Sequence, residues 1–491
     1  MPSEQTEVVV LGAGPAGLTA AYLLSKAGHP VIVLEADPTY VGGISRTVEY
    51  RGFLFDIGGH RFFSKSQEVE SLWKELLPAD MLERPRSSRI FYRGRFFSYP
   101  LKAVEALYKL GIWESIRCVA SYIKVRFSPV RDPKNFEEWV TNQFGARLFS
   151  IFFRTYTEKV WGMSCREISA DWAAQRIKGL SLAKAVLTSL TPKFRNTKDR
   201  QHVVKTLIDT FRYPRRGPGM LWTATAEKIR AYGGQVVLNR TVSALSYDAT
   251  EQKWNVVARS HEGQLHTFVA SHVISSIPIR TLLPIVSPQA NASALDAAGR
   301  LKYRDFITVA LILIDKGTLS DNWIYIHDPS VKVGRIQNFK SWSPEMIPDP
   351  ALNCYGLEYF CFEGDELWQM PDADLIRLAT EELVKVGLAA YADVRDGCVI
   401  RQPKAYPVYD DEYKTHIKSV RSELAQHYPN LHLVGRNGMH RYNNQDHAMM
   451  TAMLCVRNIL AKKQLYDLWA VNEDAEYHEE GAAGGQDAVP S

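Results

Sequence analysis

A short β-branched run, Val8-Val9-Val10-Leu11, ends at Gly12-Ala13-Gly14-Pro15-Ala16-Gly17, and an apolar-periodic stretch with Leu18, Ala21, Leu23 and Leu24 follows before Gly28. A second run, Val31-Ile32-Val33-Leu34, stops at Glu35-Ala36. Strand, glycine turn, helix and strand within about 30 residues is the context in which a GxGxxG sequence holds a dinucleotide. Gly12 permits the tight turn, Gly14 lets the backbone approach a pyrophosphate, and Gly17 lets helix and strand pack closely. The phosphates then face the unpaired N–H groups of the helix that opens at Pro15 and Ala16. Glu35 stands where a carboxylate accepts hydrogen bonds from ribose hydroxyls, with Ala36 beside it. This segment serves FAD and NAD equally.

The next motif separates them. Val41-Gly42-Gly43-Ile44-Ser45-Arg46-Thr47 follows shortly after Glu35, and Phe55-Asp56-Ile57-Gly58-Gly59-His60 comes next. The first resembles the second glycine motif of the amine-oxidase and protoporphyrinogen-oxidase class of flavoproteins, and the second occupies the place of that class's Asp-x-Gly-Gly-like turn. The resemblance implies FAD, held by Gly42, Gly43, Ser45, Arg46, Gly58, Gly59 and His60. Two small glycines and an arginine suit a backbone that must lie against a long, doubly charged dinucleotide.

Later segments are more specific. Gly58-Gly59-His60-Arg61-Phe62-Phe63-Ser64, Tyr156-Thr157-Glu158-Lys159-Val160-Trp161-Gly162, Gly334-Arg335-Ile336, Tyr406-Pro407-Val408, Gly435-Arg436-Asn437-Gly438, Arg441-Tyr442 and Asn444-Gln445-Asp446 occur in that order. Together they resemble the UDP-galactopyranose mutase family, in particular its longer, fungal-type branch. The resemblance implies a pyranose–furanose mutase in which N5 of reduced FAD attacks the anomeric carbon of a nucleotide-linked or otherwise phosphate-activated sugar, with NADH or NADPH as external reductant. It implies that His60 lies against the flavin, that Arg176 and Arg335 grip the diphosphate, and that Tyr406 and Tyr442 hydrogen-bond the same oxygens, with Trp161 nearby. Arg436, Asn444, Gln445 and Asp446 fall to the flavin, as does the backbone of Val242. Paired arginines offer planar forks to a diphosphate, which lysine cannot reproduce. A cofactor-borne nucleophile also accounts for the absence of GxSxG, HExxH and Walker A sequences, and no metal is expected. Two positions depart from the family. Tyr99 matches its base-stacking aromatic, but Lys102 replaces a glutamine that reads the base, and Trp342 replaces a tyrosine beside the sugar diphosphate. Both fall on substrate recognition, so a different activated sugar is at least as well supported as UDP-galactopyranose. The competing readings are a flavin oxidase, dehydrogenase or desaturase of the amine-oxidase class and, third, a flavin-bound scaffold without turnover.

Composition bounds the rest. The 491 residues are 46% hydrophobic and 23% charged, which excludes a disordered chain, and a net charge of +5 is too slight and too spread to argue for nucleic acid. The six cysteines are scattered without a CxxC pair and read as buried free thiols. Phe306 to Ile314 is the longest apolar run; it is too short to span a bilayer and reads as a buried strand. No basic leader precedes the first strand, so a cytoplasmic, soluble protein is expected. The segments assemble into a two-lobed α/β flavoprotein. Its discontinuous Rossmann-like FAD domain comprises residues 1–90, 206–280 and 425–465, and its mixed helical and β-sheet substrate lobe residues 91–205 and 281–424. Residues 471–491 read as a disordered acidic tail. Residues 178–216 hold ten basic side chains against two acidic ones. They read as a solvated basic face flanking an anionic pocket or, in a sharper version, as a peripheral membrane contact. The oligomeric state is not legible.

Overall fold

The computed structural model describes residues 3–170 and 210–471. Arg176, most of the 178–216 stretch and all but the first residue of the 471–491 tail therefore lie outside the described residues.

The first strand, Ser3–Leu11, lies between two parallel neighbours, Val31–Leu34 and Leu265–Ser275. Residues Val8 to Leu11 and Val31 to Leu34 are all buried, as expected of strands covered on both faces. Gln235–Val237 extends one side in parallel, and Leu431–Leu433 pairs with the end of Leu265–Ser275. On the other side the ladder turns antiparallel through Lys253–Arg259 and Thr241–Asp248, with Val286–Ser287 at the edge. One eight-stranded sheet is thus assembled from three separate parts of the chain. The helix Pro15–Lys26 packs on it, against Gly219–Ala231 and Gln445–Leu460.

A second sheet has seven strands in the order Val394–Pro407, Tyr303–Ile314, Leu352–Cys361, Arg335–Asn338, Trp323–Ile326, Ser88–Tyr92 and Arg95–Ser98. The apolar run at Phe306 is its second strand, between Val394–Pro407 and Leu352–Cys361, buried from Tyr303 to Leu313. The hairpin at Ser88–Ser98 joins this sheet because Trp323–Ile326 pairs with it in parallel. Helices Ala103–Leu110, Ile112–Phe127 and Phe136–Phe144 follow, then a short helix and a π-helical turn at Ser150–Arg154 that leads into Thr155–Trp161. The architecture is the expected α/β fold. All six cysteines are free thiols, and five are buried. Among the described residues no helix is long and apolar enough to cross a membrane.

Candidate active site

The glycine turn is shaped by close backbone approach. Gly12 has φ +94°, and a Cβ there would stand 2.6 Å from Ser276 Oγ. A Cβ at Gly17 would lie 2.0 Å from the carbonyl oxygen of Gly12, so only glycine lets the helix sit this close to the strand. Gly14, by contrast, caps the helix with no side-chain bond and faces open space, with nothing within 4 Å of a Cβ placed there. Pro15 and Ala16 form the first helical turn, so its amides point into that space. Glu35 sits at the end of the second strand. Its carboxylate accepts from Ala13 N at 2.6 Å and Asp37 N at 2.9 Å, and burial raises its pKa. The second glycine turn lies directly on the first: Gly42 N donates to Ala13 O at 2.8 Å, and a Cβ on Gly43 would come 3.3 Å from Gly14 Cα. Ser45 is buried beneath it, and Arg46 is fixed by Gly43 O at 2.9 Å and Gln402 Oε1 at 2.6 Å. Ala36 follows Glu35 at the strand end, and Val242 pairs with Ala258 just before a β-bulge in the same sheet.

Beside the turn Gly58-Gly59-His60 opens a cavity of ≈160 Å³ against the second sheet. Its floor is a patch of the second sheet. Strand alternation puts Trp323 with Tyr325, and Arg335 with Gln337, on one face, and the antiparallel register sets Trp323 opposite Gln337 and Tyr325 opposite Arg335. A Cβ at Gly59 would collide with Gln337 Nε2 at 2.8 Å, so the glycine lets the turn rest on that floor. Arg335 in turn faces Glu358 across the next ladder, and its Nε donates to this fully buried carboxylate, which also accepts from Gln337 Nε2 at 2.8 Å. Burial lifts the Glu358 carboxyl, while the Arg335 guanidinium opposes that rise and is itself held charged.

Tyr406 and Tyr442 form another wall. Their rings are 5.7 Å apart and inclined by 13°, and the Arg436 guanidinium lies 5.2 Å from both. Arg436 is locked there by donating to Asn443 O at 2.8 Å and Ala405 O at 3.1 Å. Asn444 caps the helix Gln445–Leu460, whose first turn points into the cavity; Asp446 accepts from Ser64 Oγ at 3.2 Å. Burial, reinforced by Arg436 and Arg335, depresses the His60 pKa to about 3, so the imidazole is neutral, and its buried Nδ1 has no partner among the described residues. The same holds for both amide atoms of Gln445 and for Trp323 Nε1. Orphaned polar atoms around the cavity, together with the open space before Gly14, fit a flavin dinucleotide laid from the glycine turns to His60.

The sequence-derived residues do not all meet here. Trp342 reaches the cavity edge, but its Nε1 already donates to Asn322 O at 2.9 Å, so the N–H expected for substrate is spent internally. Trp161 stands behind Tyr442, 6.2 Å between rings, and is not among the lining residues. Its motif has a further role: Lys159 Nζ donates to the carbonyls of Ile326, Asp328 and Val333 at 2.6–3.2 Å, and Arg304 donates to Lys159 O and Val160 O at the end of that helix. A Cβ at Gly162 would stand 2.4 Å from that guanidinium. Tyr99 packs 4.8 Å from Tyr325 at a tilt of 52°, one ring away from the cavity, and Lys102 is exposed at the start of the helix Ala103–Leu110, outside the lining. Arg61, Trp323, Tyr325 and Gln337 line the cavity without having been singled out. The alternation Trp-Ile-Tyr at 323–325 was the available signal for two of them.

Comparisons with known proteins place the fold. Among solved structures, reduced UDP-galactopyranose mutase superposes with a TM-score of 0.80 at 22% identity, covering 96% of this chain and 98% of that one. A putative protoporphyrinogen oxidase from Exiguobacterium sp. 255-15 gives 0.70 at 17% identity, covering 94% of this chain and all of that one. In sequence, coproporphyrinogen III oxidase of Bacillus subtilis (strain 168) is 20% identical over 89% of this chain and 94% of its own length. The 15-cis-phytoene desaturase of an Oncidium hybrid cultivar is 35% identical over 120 residues, 24% of this chain and only 21% of the desaturase. Residues 15–460 match the model of the flavin containing amine oxidoreductases, and with nearly the whole chain inside that match, the protein belongs to this family of flavin-dependent enzymes.

Proposed function

We propose that the chain binds FAD and interconverts the pyranose and furanose rings of a sugar activated by a nucleoside diphosphate or another phosphate. The carrying observation is the charge of the cavity wall: Arg61, Arg335 and Arg436 line it against a single carboxylate, Asp446, while the one acid paired to Arg335 is buried behind the floor. Such a wall suits a polyanion. An amine fits it poorly, because the Arg436 guanidinium lies 5.2 Å from both tyrosine rings and would repel a cation there.

The bound, reduced flavin would supply the nucleophilic nitrogen, with NADH or NADPH as reductant. The chain's own residues position and stabilise charge. Arg335 uses Nε on Glu358 and keeps the rest of its fork for phosphate oxygens. Tyr406, whose pKa burial raises to about 12, stays protonated and donates its phenolic hydrogen. His60 is neutral, so it takes part as a hydrogen-bonding imidazole without adding charge beside the anomeric centre.

A second reading has one observation in its favour. The same arginines would hold the carboxylates of a porphyrinogen, the substrate class named by the Bacillus subtilis oxidase matched over most of the chain. Incubating dithionite-reduced and oxidised protein with UDP- and dTDP-sugars separates the two. Furanose formed only by reduced protein supports the mutase; oxygen consumed with coproporphyrinogen, and no furanose with any sugar, overturns it.

A further inference from the structure

Nine of the fourteen large hydrophobic side chains exposed among the described residues lie between residues 104 and 130. Eight of the nine lie on the helices Ala103–Leu110 and Ile112–Phe127, and Val130 follows shortly after. On the second helix Ile112, Ile116, Ile123 and Phe127 recur at intervals of four and seven, which places them on one stripe, with Trp113 at its edge. The opposite stripe carries Cys118 and Val125, both buried. The helix is therefore amphipathic twice over, apolar both toward the protein and toward solvent. It is firmly seated: a Cβ at Gly145 would lie 2.8 Å from Tyr122 N, and Arg147 N donates to Ser121 Oγ at 3.1 Å.

The edges of the solvent stripe are cationic. Arg117 and Lys124 flank it on the Trp113 side and Arg126 on the other, all exposed. Between residues 102 and 134 there are seven basic and three acidic side chains. Two of those acids are neutralised within the protein, Glu105 by Lys109 at 2.6 Å and Glu114 by Arg147 at 2.9 Å. Tyr108, Trp113 and Phe127 are each at least 80% exposed. Exposed aromatic and branched side chains rimmed by arginine and lysine are the chemistry of an interfacial helix on an anionic bilayer.

We infer that the helices Ala103–Leu110 and Ile112–Phe127 dock the enzyme on an anionic lipid surface, with Trp113 and Phe127 entering the headgroup region and Arg117, Lys124 and Arg126 facing lipid phosphates. No residue of these two helices lines the cavity, so the test does not depend on which reaction the cavity performs.

The test is sedimentation of the FAD-loaded full chain with vesicles of equal parts phosphatidylglycerol and phosphatidylcholine, against pure phosphatidylcholine. Binding is expected to the anionic vesicles, to weaken as salt rises, and to fall roughly tenfold or more in the double variant Trp113→Ser, Phe127→Ser. Arg117→Glu with Lys124→Glu should lower it while the apolar stripe stays intact. Retained flavin absorbance in each variant shows that it is folded. Wild-type protein that ignores anionic vesicles at low salt overturns the inference, as does a double variant that binds like wild type. An apolar stripe whose substitution only changes the oligomeric state in centrifugation would assign the face to a second copy of the chain, and the inference would fall.

Discussion

Replacing Arg335 with alanine tests the central feature of the cavity floor, because the guanidinium is both a candidate phosphate ligand and the counter-charge of a buried acid. The Glu358 side chain is 0% exposed and that of Arg335 18% exposed, so solvent screening is slight. Removing one partner of such a pair costs about 3–5 kcal/mol, because the other charge is left uncompensated. Gln337 Nε2, at 2.8 Å, is then the only remaining donor described for that carboxylate. Adding Glu358→Gln removes the stranded charge and should restore all but about 1–2 kcal/mol. The deficit of the single variant should also depend on pH. Without Arg335 the folded-state pKa of Glu358 rises further above its ordinary 4.5. A raised carboxyl contributes stability that is present at low pH and lost as pH rises, so the single variant falls further behind wild type at about pH 8 than at about pH 5. Urea unfolding followed by tryptophan fluorescence measures each term, and turnover with the proposed sugar substrate is recorded in parallel. Mutase activity should be lost in both variants while the yellow flavin is retained. The reasoning fails if Arg335→Ala unfolds at the wild-type midpoint, or if Glu358→Gln does not relieve its deficit; loss of flavin from both variants would show that Arg335 serves the cofactor.

Three further outcomes follow from the same coordinates. His327 and His440 are buried and held neutral, with pKa values lowered from 6.5 to about 3 and about 4, chiefly by burial. The unfolded chain therefore binds their protons first, and stability should drop by about 1.4 kcal/mol per pH unit for each histidine below about pH 6.5; an unfolding midpoint unmoved between about pH 7 and about pH 5 would contradict this. Gly17→Ala places a methyl 2.0 Å from Gly12 O and should cost about 1–3 kcal/mol and abolish flavin binding, read from visible absorbance. Trp342→Phe removes the indole donor to Asn322 O, which still accepts from Asn338 N at 2.9 Å, and should destabilise by about 0.5–1.5 kcal/mol, whereas Trp323→Phe, whose indole N–H has no partner among the described residues, should raise KM with little change in unfolding; the reverse pattern would reassign the two rings.

The flavin fold was legible because its determinants are local. Gly12 and Gly42 are demanded by their positive φ and Gly17 by its contact with the Gly12 carbonyl, and a buried strand such as Tyr303–Ile314 announces itself by composition.

The cavity was legible only in part. His60, Arg335, Tyr406, Arg436 and Tyr442 come together as the motif order suggested, but Trp161, Tyr99 and Lys102 stand outside the lining. Nothing in the sequence pairs Arg335 with Glu358, 23 residues away, since that neighbour is set by cross-strand register. The same is true of which indole N–H is free. Trp323 and Trp342 look equivalent in sequence, and only the Asn322 carbonyl, placed just before the strand Trp323–Ile326, spends one and leaves the other. The sequence by itself determined the glycine turns, the strands and helices, and the identity of the charged groups available. Tertiary structure alone decided which charges are compensated, which donors are used and which histidines are neutral, because burial and partner geometry depend on strand pairing across hundreds of residues.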